Sequence, residues 1–444
     1  MRFSAGIIFL AFLLQTSLPQ PVAIYSEDPD DLWNRAYDLL FTNVRTVEVP
    51  QKTASLAPQP RMDKAIREQE RLQLLTKFYY QRYSFVSGST KLDRLEGGDM
   101  PDFFFDERVE FLMKEPRYGE LVDALEKGIK MLNFQSRSAI ARVLFQQDLW
   151  NRYDAVYRLI QIEKDQGTKT RAERLLSLLG EWIALTVCNS EELQTIQSNF
   201  EEIAQAYPQV DSELFEKDSK WRELIVPHTA EQTTSHAKSA GYRRVFRVFV
   251  RVQEESGGTH CLEALLPAYF RSHERSMVPC APDGRSLVRG SRALLMEFLL
   301  TLTNHGEIFP MPLLLGVESR EIGFPDPGAD GKYDLEDLPF QVLHISRQEL
   351  SSTKRQRGGL KLLAQDELVP ALFIAFGRGS ALLPVPISCI NCHGIDGRAM
   401  MTTNLIAVRD IQVVHPANII QQERVIVAKQ KSPDYQSLRK LLVR

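Results

Sequence analysis

Near residue 240 the period of the apolar residues changes from 3.6 to 2, and that change decides the class of fold. Upstream, Leu32, Trp33, Ala36, Leu39 and Leu40 recur at helical spacing behind Asp28-Pro29-Asp30-Asp31, a helix-start composition. Leu121, Val122, Leu125, Ile129 and Leu132 make a second stripe. A third helix is expected from Ser138 through Leu144, Leu149, Tyr153, Val156 and Ile160, and a fourth over 170–187. Residues 53–61 carry Pro58 and Pro60 and read as a surface loop. Phe78, Tyr79, Tyr80, Tyr83 and Phe85 resemble a stacking platform, but at helical spacing they read as core packing.

Past the polar stretch 228–239, Tyr242, Arg244, Phe246, Val248, Val250 and Val252 face one way. Arg243, Val245, Arg247, Phe249 and Arg251 face the other, a strand pattern rich in β-formers. Its arginines suggest an anion site or a solvated sheet face, and the solvated face is the expectation. Apolar runs at 294–303 and 308–317 flank Asn304-His305-Gly306-Glu307 and predict a hairpin, with Pro310 and Pro312 pointing to an edge strand or irregular pairing. Strand patterns continue at 340–345 and 368–376. The expected fold class is α+β: a helical region over 27–225, a β-rich domain over 240–386, and a C-terminal segment over 387–444, with no internal repeats. At 444 residues the chain can build two or three domains with real cores.

The C-terminal segment contains Cys389-Ile390-Asn391-Cys392-His393. This spacing attaches haem covalently: two thiols form thioethers to the vinyl groups and the adjacent histidine ligates the iron. Composition alone yields the pattern in about one chain in a thousand of this length. The expected cofactor is therefore one covalent haem c per chain, with Cys389 and Cys392 attaching it and His393 as proximal metal ligand. A small cytochrome c domain places this motif early and wraps the group with later helices. Here only 51 residues follow His393, so a pocket must draw on residues before the motif. Those 51 include a strand-like run at 425–428 and a terminal helix started by Ser432-Pro433-Asp434.

Attachment of this kind occurs outside the bacterial cytoplasm, so the motif demands an export signal. Met1-Arg2 followed by the apolar run 3–14 has the length of a secretory leader and is too short for an ordinary membrane span. Cleavage is expected after Ala23 or near Ser17, with an uncleaved anchor as the alternative; no cysteine follows the run to carry a lipid. The body is expected to be periplasmic or otherwise extracytoplasmic, with no transmembrane span in the mature chain. A net charge of −3 gives no reason to expect nucleic acid as a partner.

Layout and local sequence resemble a group of uncharacterised exported bacterial proteins with a long helical region, a β-containing segment and one late CxxCH. The resemblance rests on Leu144-Phe145-Gln146-Gln147-Asp148-Leu149-Trp150 and on Leu383-Pro384-Val385-Pro386-Ile387-Ser388-Cys389. It implies attachment of a single haem and no established activity.

The iron's second axial ligand stays open among Met400, Met401, His415, Met277, Met296, Met311, His305 and His344. A helix directly after His393 would keep both Met400 and Met401 from reaching round the porphyrin edge. The remaining cysteines are Cys188, expected as a buried free thiol, and Cys261 with Cys280, which can bridge in an oxidising compartment. Rival readings of the motif are a zinc site, which lacks a second ligand pair at knuckle spacing, and a redox or structural disulfide. Asp326-Pro-Gly-Ala-Asp330-Gly331-Lys-Tyr-Asp334-Leu-Glu-Asp337 partly fits a calcium loop and reads as an acidic turn. No serine nucleophile elbow, zincin pair or phosphate loop is present.

The function expected from sequence is electron transfer by an exported mono-haem protein with an unidentified redox partner in the cell envelope. The alternatives are a haem enzyme or sensor with an open distal site suited to peroxide, and a non-catalytic envelope binding protein whose CxxC is a disulfide.

Overall fold

The computed structural model describes residues 24–28, 30–41, 43–48, 82–85, 91–96, 109–225, 244–251, 291–321, 340–351, 355–362, 368–370, 382–384, 412–417 and 423–443. Helices precede an antiparallel sheet, as the α+β expectation requires. Helix α1 covers Leu32–Phe41, α2 Arg117–Met131, α3 Ala139–Ile162 and α4 Gln166–Thr186. Two short helices follow, α5 at Ser190–Thr195 and α6 at Phe200–Ala206.

Local chemistry explains the boundaries. Asp31 Oδ1 accepts from Trp33 N–H at 2.9 Å, Ser138 Oγ from Ala141 N–H at 3.2 Å, and Asp165 Oδ2 from Thr168 N–H at 2.7 Å. Each satisfies a donor that the first helical turn leaves unpaired. Asn189 and Glu192 form a reciprocal capping box on α5.

The main sheet has seven strands: β4 Trp221–Ile225, β5 Arg244–Arg251, β6 Arg292–Leu302, β7 Ile308–Glu321, β8 Phe340–Ile345, β9 Leu360–Leu362 and β12 Gln412–Val414. From β4 to β9 it is a meander in chain order, and β12 adds antiparallel to the β4 edge. A pair of three-residue strands, β10 Leu368–Pro370 and β11 Leu382–Pro384, lies outside this sheet. Strands β1 Asn43–Glu48, β2 Arg82–Phe85 and β3 Lys91–Glu96 form a third sheet in the order β1-β3-β2. Tyr83 and Phe85 thus lie on a strand, and the helical reading of that aromatic cluster is corrected there; Phe78, Tyr79 and Tyr80 lie outside the described residues.

The hairpin of β6 and β7 forms where expected, but β7 is a central strand, paired with β6 on one side and β8 on the other. Pro310 and Pro312 are accommodated by the second expectation, irregular pairing. The register slips between Glu297 and Phe298 and again before Leu300. Asn199 supplies what the slipped ladder lacks. Its side chain accepts from Leu314 N–H at 2.8 Å and donates to Leu314 O at 3.0 Å. Gln146 does the same at the strand end, accepting from Leu302 N–H at 2.7 Å and donating to Leu302 O at 3.2 Å. Two buried amides mimic a neighbouring strand.

Helices and sheet share one apolar cluster. Trp33, Phe145 and Trp182 meet at its helical end, with the Phe145 ring stacked 4.6 Å from that of Trp33. Phe215 and Phe249 pack edge-to-face at 5.7 Å where the sheet begins. The run at 425–428, expected as a strand, belongs instead to helix α8, Glu423–Gln430. Its β-branched residues are outweighed by the turn that leads into α9, Pro433–Leu442, with a buried Lys429–Asp434 ion pair of 2.5 Å across the junction. In α9 the proline sits in the first turn as expected, while Ser432 Oγ donates back to Lys429 O at 2.6 Å and does not cap. Helix α7, Arg347–Ser351, follows β8. Among the described residues no helix is long and apolar enough to cross a membrane.

Candidate functional site

The CxxCH motif, Cys389 to His393, lies outside the described residues, as do Met277, Met400, Met401, the Cys261–Cys280 pair, the acidic loop 326–337 and the leader 1–23. What is described is how the chain is held on either side of the motif. Upstream, β11 ends at Pro384, with Leu383 paired to Val369 of β10. Downstream, β12 is fastened to the main sheet by Gln412, Val413 and Val414 facing Ile225, Leu224 and Glu223.

The second fastening is reinforced by a buried ion pair. Arg247 Nε and Nη2 donate to the two carboxylate oxygens of Glu223 at 2.8 and 2.7 Å, and Nη2 also donates to Ala417 O at 2.6 Å. The guanidinium lies among the rings of Phe215, Phe249 and Phe298, with Phe249 nearest at 4.9 Å. A forked arginine–carboxylate pair inside an aromatic cage is strong and directional. Removing either partner would strand a charge in an apolar site.

The solvated sheet face expected from the β5 arginines is therefore a misreading. Arg244 and Arg247 are both 3% exposed. They point to opposite faces, Arg244 to Glu297 at 2.6 Å and Arg247 to Glu223. Only Arg251, bonded to Asp211 at 2.6 Å, is partly exposed. The alternation was read correctly and its environment was not, because the acids that neutralise the arginines lie on other strands.

A second ionic centre joins helix to sheet. Asp148 on α3 accepts from Arg347 Nε at 2.7 Å and Nη2 at 2.5 Å, and from the Tyr25 hydroxyl. Burial, then the neighbouring carboxylate, pushes the Tyr25 phenol well above its ordinary range, so it stays a donor. Asn34 ties the same segment down, accepting from Ile24 and Tyr25 N–H at 2.9 and 2.8 Å. With both carboxylate oxygens of Asp148 engaged by donors, the arrangement is a clamp and offers no general base. Sequence reasoning saw Asp148 only inside the Gln146-Gln147-Asp148 run. The available signal was the run itself, three polar residues at consecutive positions of a helix that is buried all round.

The described candidates for an axial ligand separate by environment. Met296 and Met311 are fully buried in the apolar core. His344 is 1% exposed, and its Nδ1 accepts from Ile345 N–H at 3.0 Å. Burial, then Arg244 and Arg347, hold its pKa well below the ordinary histidine value. His305 and His415 are exposed. His415 directly follows β12, with Nδ1 3.1 Å from Pro416 O. Cys188 is a buried free thiol as expected, its pKa pushed up to about 11 by desolvation. Among the described residues no three of His, Cys, Asp and Glu converge to hold a metal ion.

No protein-family model, curated protein or solved structure matches this chain.

Proposed function

We propose that the chain is an exported mono-haem c-type protein that passes electrons to or from a partner in the cell envelope. The observation that carries this reading is the sequence Cys389-Ile390-Asn391-Cys392-His393. Cys389 and Cys392 would hold the group through thioethers and His393 would ligate the iron from the proximal side. Bound there, the group supplies one-electron exchange at a potential set by its second ligand and its burial.

The rest of the chain supports the assignment through what it gives the motif. Residues 385–411 run between two paired strands, so a motif-bearing segment is held at both ends. Cys188, buried and with its thiol disfavoured as thiolate, is no ready disulfide partner for the motif cysteines. An exposed imidazole, His415, already has one ring nitrogen engaged by a carbonyl, the state in which histidines bind metals. The apolar run at 3–14 supplies the export that maturation requires.

The test is the intact mass and the reduced pyridine spectrum of the full chain, made in bacteria that carry haem-maturation machinery. One haem per chain is expected, lost in the Cys389→Ser, Cys392→Ser double variant. A mature wild-type chain with the mass of the bare polypeptide overturns the reading. A high-spin, peroxide-reactive product would transfer it to the enzyme class.

A further inference from the structure

We propose that His415 is the second axial ligand to the iron, an inference that rests on haem attachment at Cys389 and Cys392. The acceptor 3.1 Å from His415 Nδ1 is a carbonyl oxygen, which can only accept. Nδ1 therefore carries the proton and Nε2 presents its lone pair on an exposed ring. Metal-binding histidines commonly have this arrangement, because the backbone bond sets both tautomer and ring orientation.

The backbone on both sides of His415 is fixed. Val414, the residue before it, pairs with Glu223 of β4, and Ala417, two residues after it, accepts from Arg247. Glu223 and Arg247 are the partners of the buried fork, so a single ion pair clamps both flanks of an exposed imidazole. Burying such a pair is costly, and at this sheet edge it holds a three-residue strand that its own ladder would hold weakly. Arg247 and Glu223 thereby act as positioning residues for His415.

The other described candidates offer less. Met296 and Met311 would have to leave the apolar core, and His344 is buried with Nδ1 already engaged. His305 is exposed, but its turn is tied to α9, where the Tyr435 hydroxyl donates to Gly306 O at 2.7 Å. From His393, 22 residues of chain lead to His415, ample to pass round the porphyrin edge.

The experiment uses the full chain with haem attached, read by optical and near-infrared dichroism spectra and by electron paramagnetic resonance. Wild type should be low-spin with two imidazole ligands, without the sulfur-to-iron band of methionine ligation. His415→Ala should become high-spin when ferric and return to low-spin with added imidazole, while His305→Ala stays unchanged. His415→Met should gain the sulfur band and a higher potential. A wild type with methionine ligation, or a His415→Ala protein that stays low-spin, overturns the assignment while leaving attachment intact. Should His415→Ala fail to mature, the wild-type spectrum with the His305→Ala control still decides: two imidazoles, unaffected by that control, support His415. Absence of covalent haem from wild type removes both proposals together.

Discussion

At the scale of single residues, the buried charges explain more than the apolar ones. Asp148 and Arg347 are 1% and 3% exposed as side chains and come from residues nearly two hundred positions apart. Each would be prohibitively placed without the other. Arg347→Met leaves Asp148 with the Tyr25 hydroxyl but without its counter-charge, and should cost about 3–5 kcal/mol in urea unfolding. Asp148→Leu combined with Arg347→Met should recover most of that loss, since the pair itself is worth little beyond an apolar isostere. A double variant no more stable than its worse parent would mean that the pair does more than neutralise itself. Tyr25→Phe deletes one hydrogen bond to a charged group and should cost about 1.5–3 kcal/mol.

At the scale of elements, close approach is purchased with glycine at two junctions. A Cβ on Gly128 of α2 would sit 2.2 Å from Trp182 Cζ2 of α4, whose indole N–H donates to Leu125 O at 2.8 Å. Gly128→Ala should cost about 1–3 kcal/mol by overpacking and shift the tryptophan emission, despite alanine's higher helix propensity. Gly359 has φ +77° and a Cβ would meet Leu350 Cβ at 2.7 Å, so Gly359→Ala should destabilise through both strain and contact. Equal stability of these variants in urea would show that the junctions yield. Helices α1 to α4 were legible because their stripes repeat over several turns, and the β6–β7 hairpin because two apolar runs bracket Asn304-His305-Gly306-Glu307. The helix at 423–430 was not, since Val425, Ile426 and Val427 are β-formers locally and only the Lys429–Asp434 pair shows why they are wound. Nor was the role of Asn199 and Gln146, whose partners are backbone groups more than a hundred residues away. Of the candidate site, the motif was readable from spacing. The Glu223–Arg247 clamp beside His415 was not, because strand pairing across the chain has no local signature.

At the scale of the whole molecule, helices and sheet unfold from a shared core, so one buried titratable group in the sheet should report on global stability. His344 is that group. Burial, followed by the charges of Arg244 and Arg347, depresses its pKa, with a backbone contact at Leu315 opposing them. Unfolding restores the ordinary value of about 6.5. Below that pH the unfolded chain binds a proton that the folded chain refuses, so stability falls as pH drops from 6.5 toward the folded value. The slope should approach one proton, about 1.4 kcal/mol per pH unit. The carboxylates with depressed values, Asp211 and Glu192 among them, add their own losses only nearer their ordinary range of about 4. The window between pH 6.5 and about 5 thus isolates histidines. His305 and His415 are exposed and have no comparable burial to make them report. His344→Asn keeps an acceptor near the Ile345 N–H and cannot take the proton. Its unfolding free energy, measured in urea at half-unit steps, should therefore be lower at pH 7 yet nearly flat down to pH 5. A variant that retained the wild-type slope would place the responsible proton elsewhere. A flat wild type would mean that His344 stays protonated in the fold, against two neighbouring guanidinium groups.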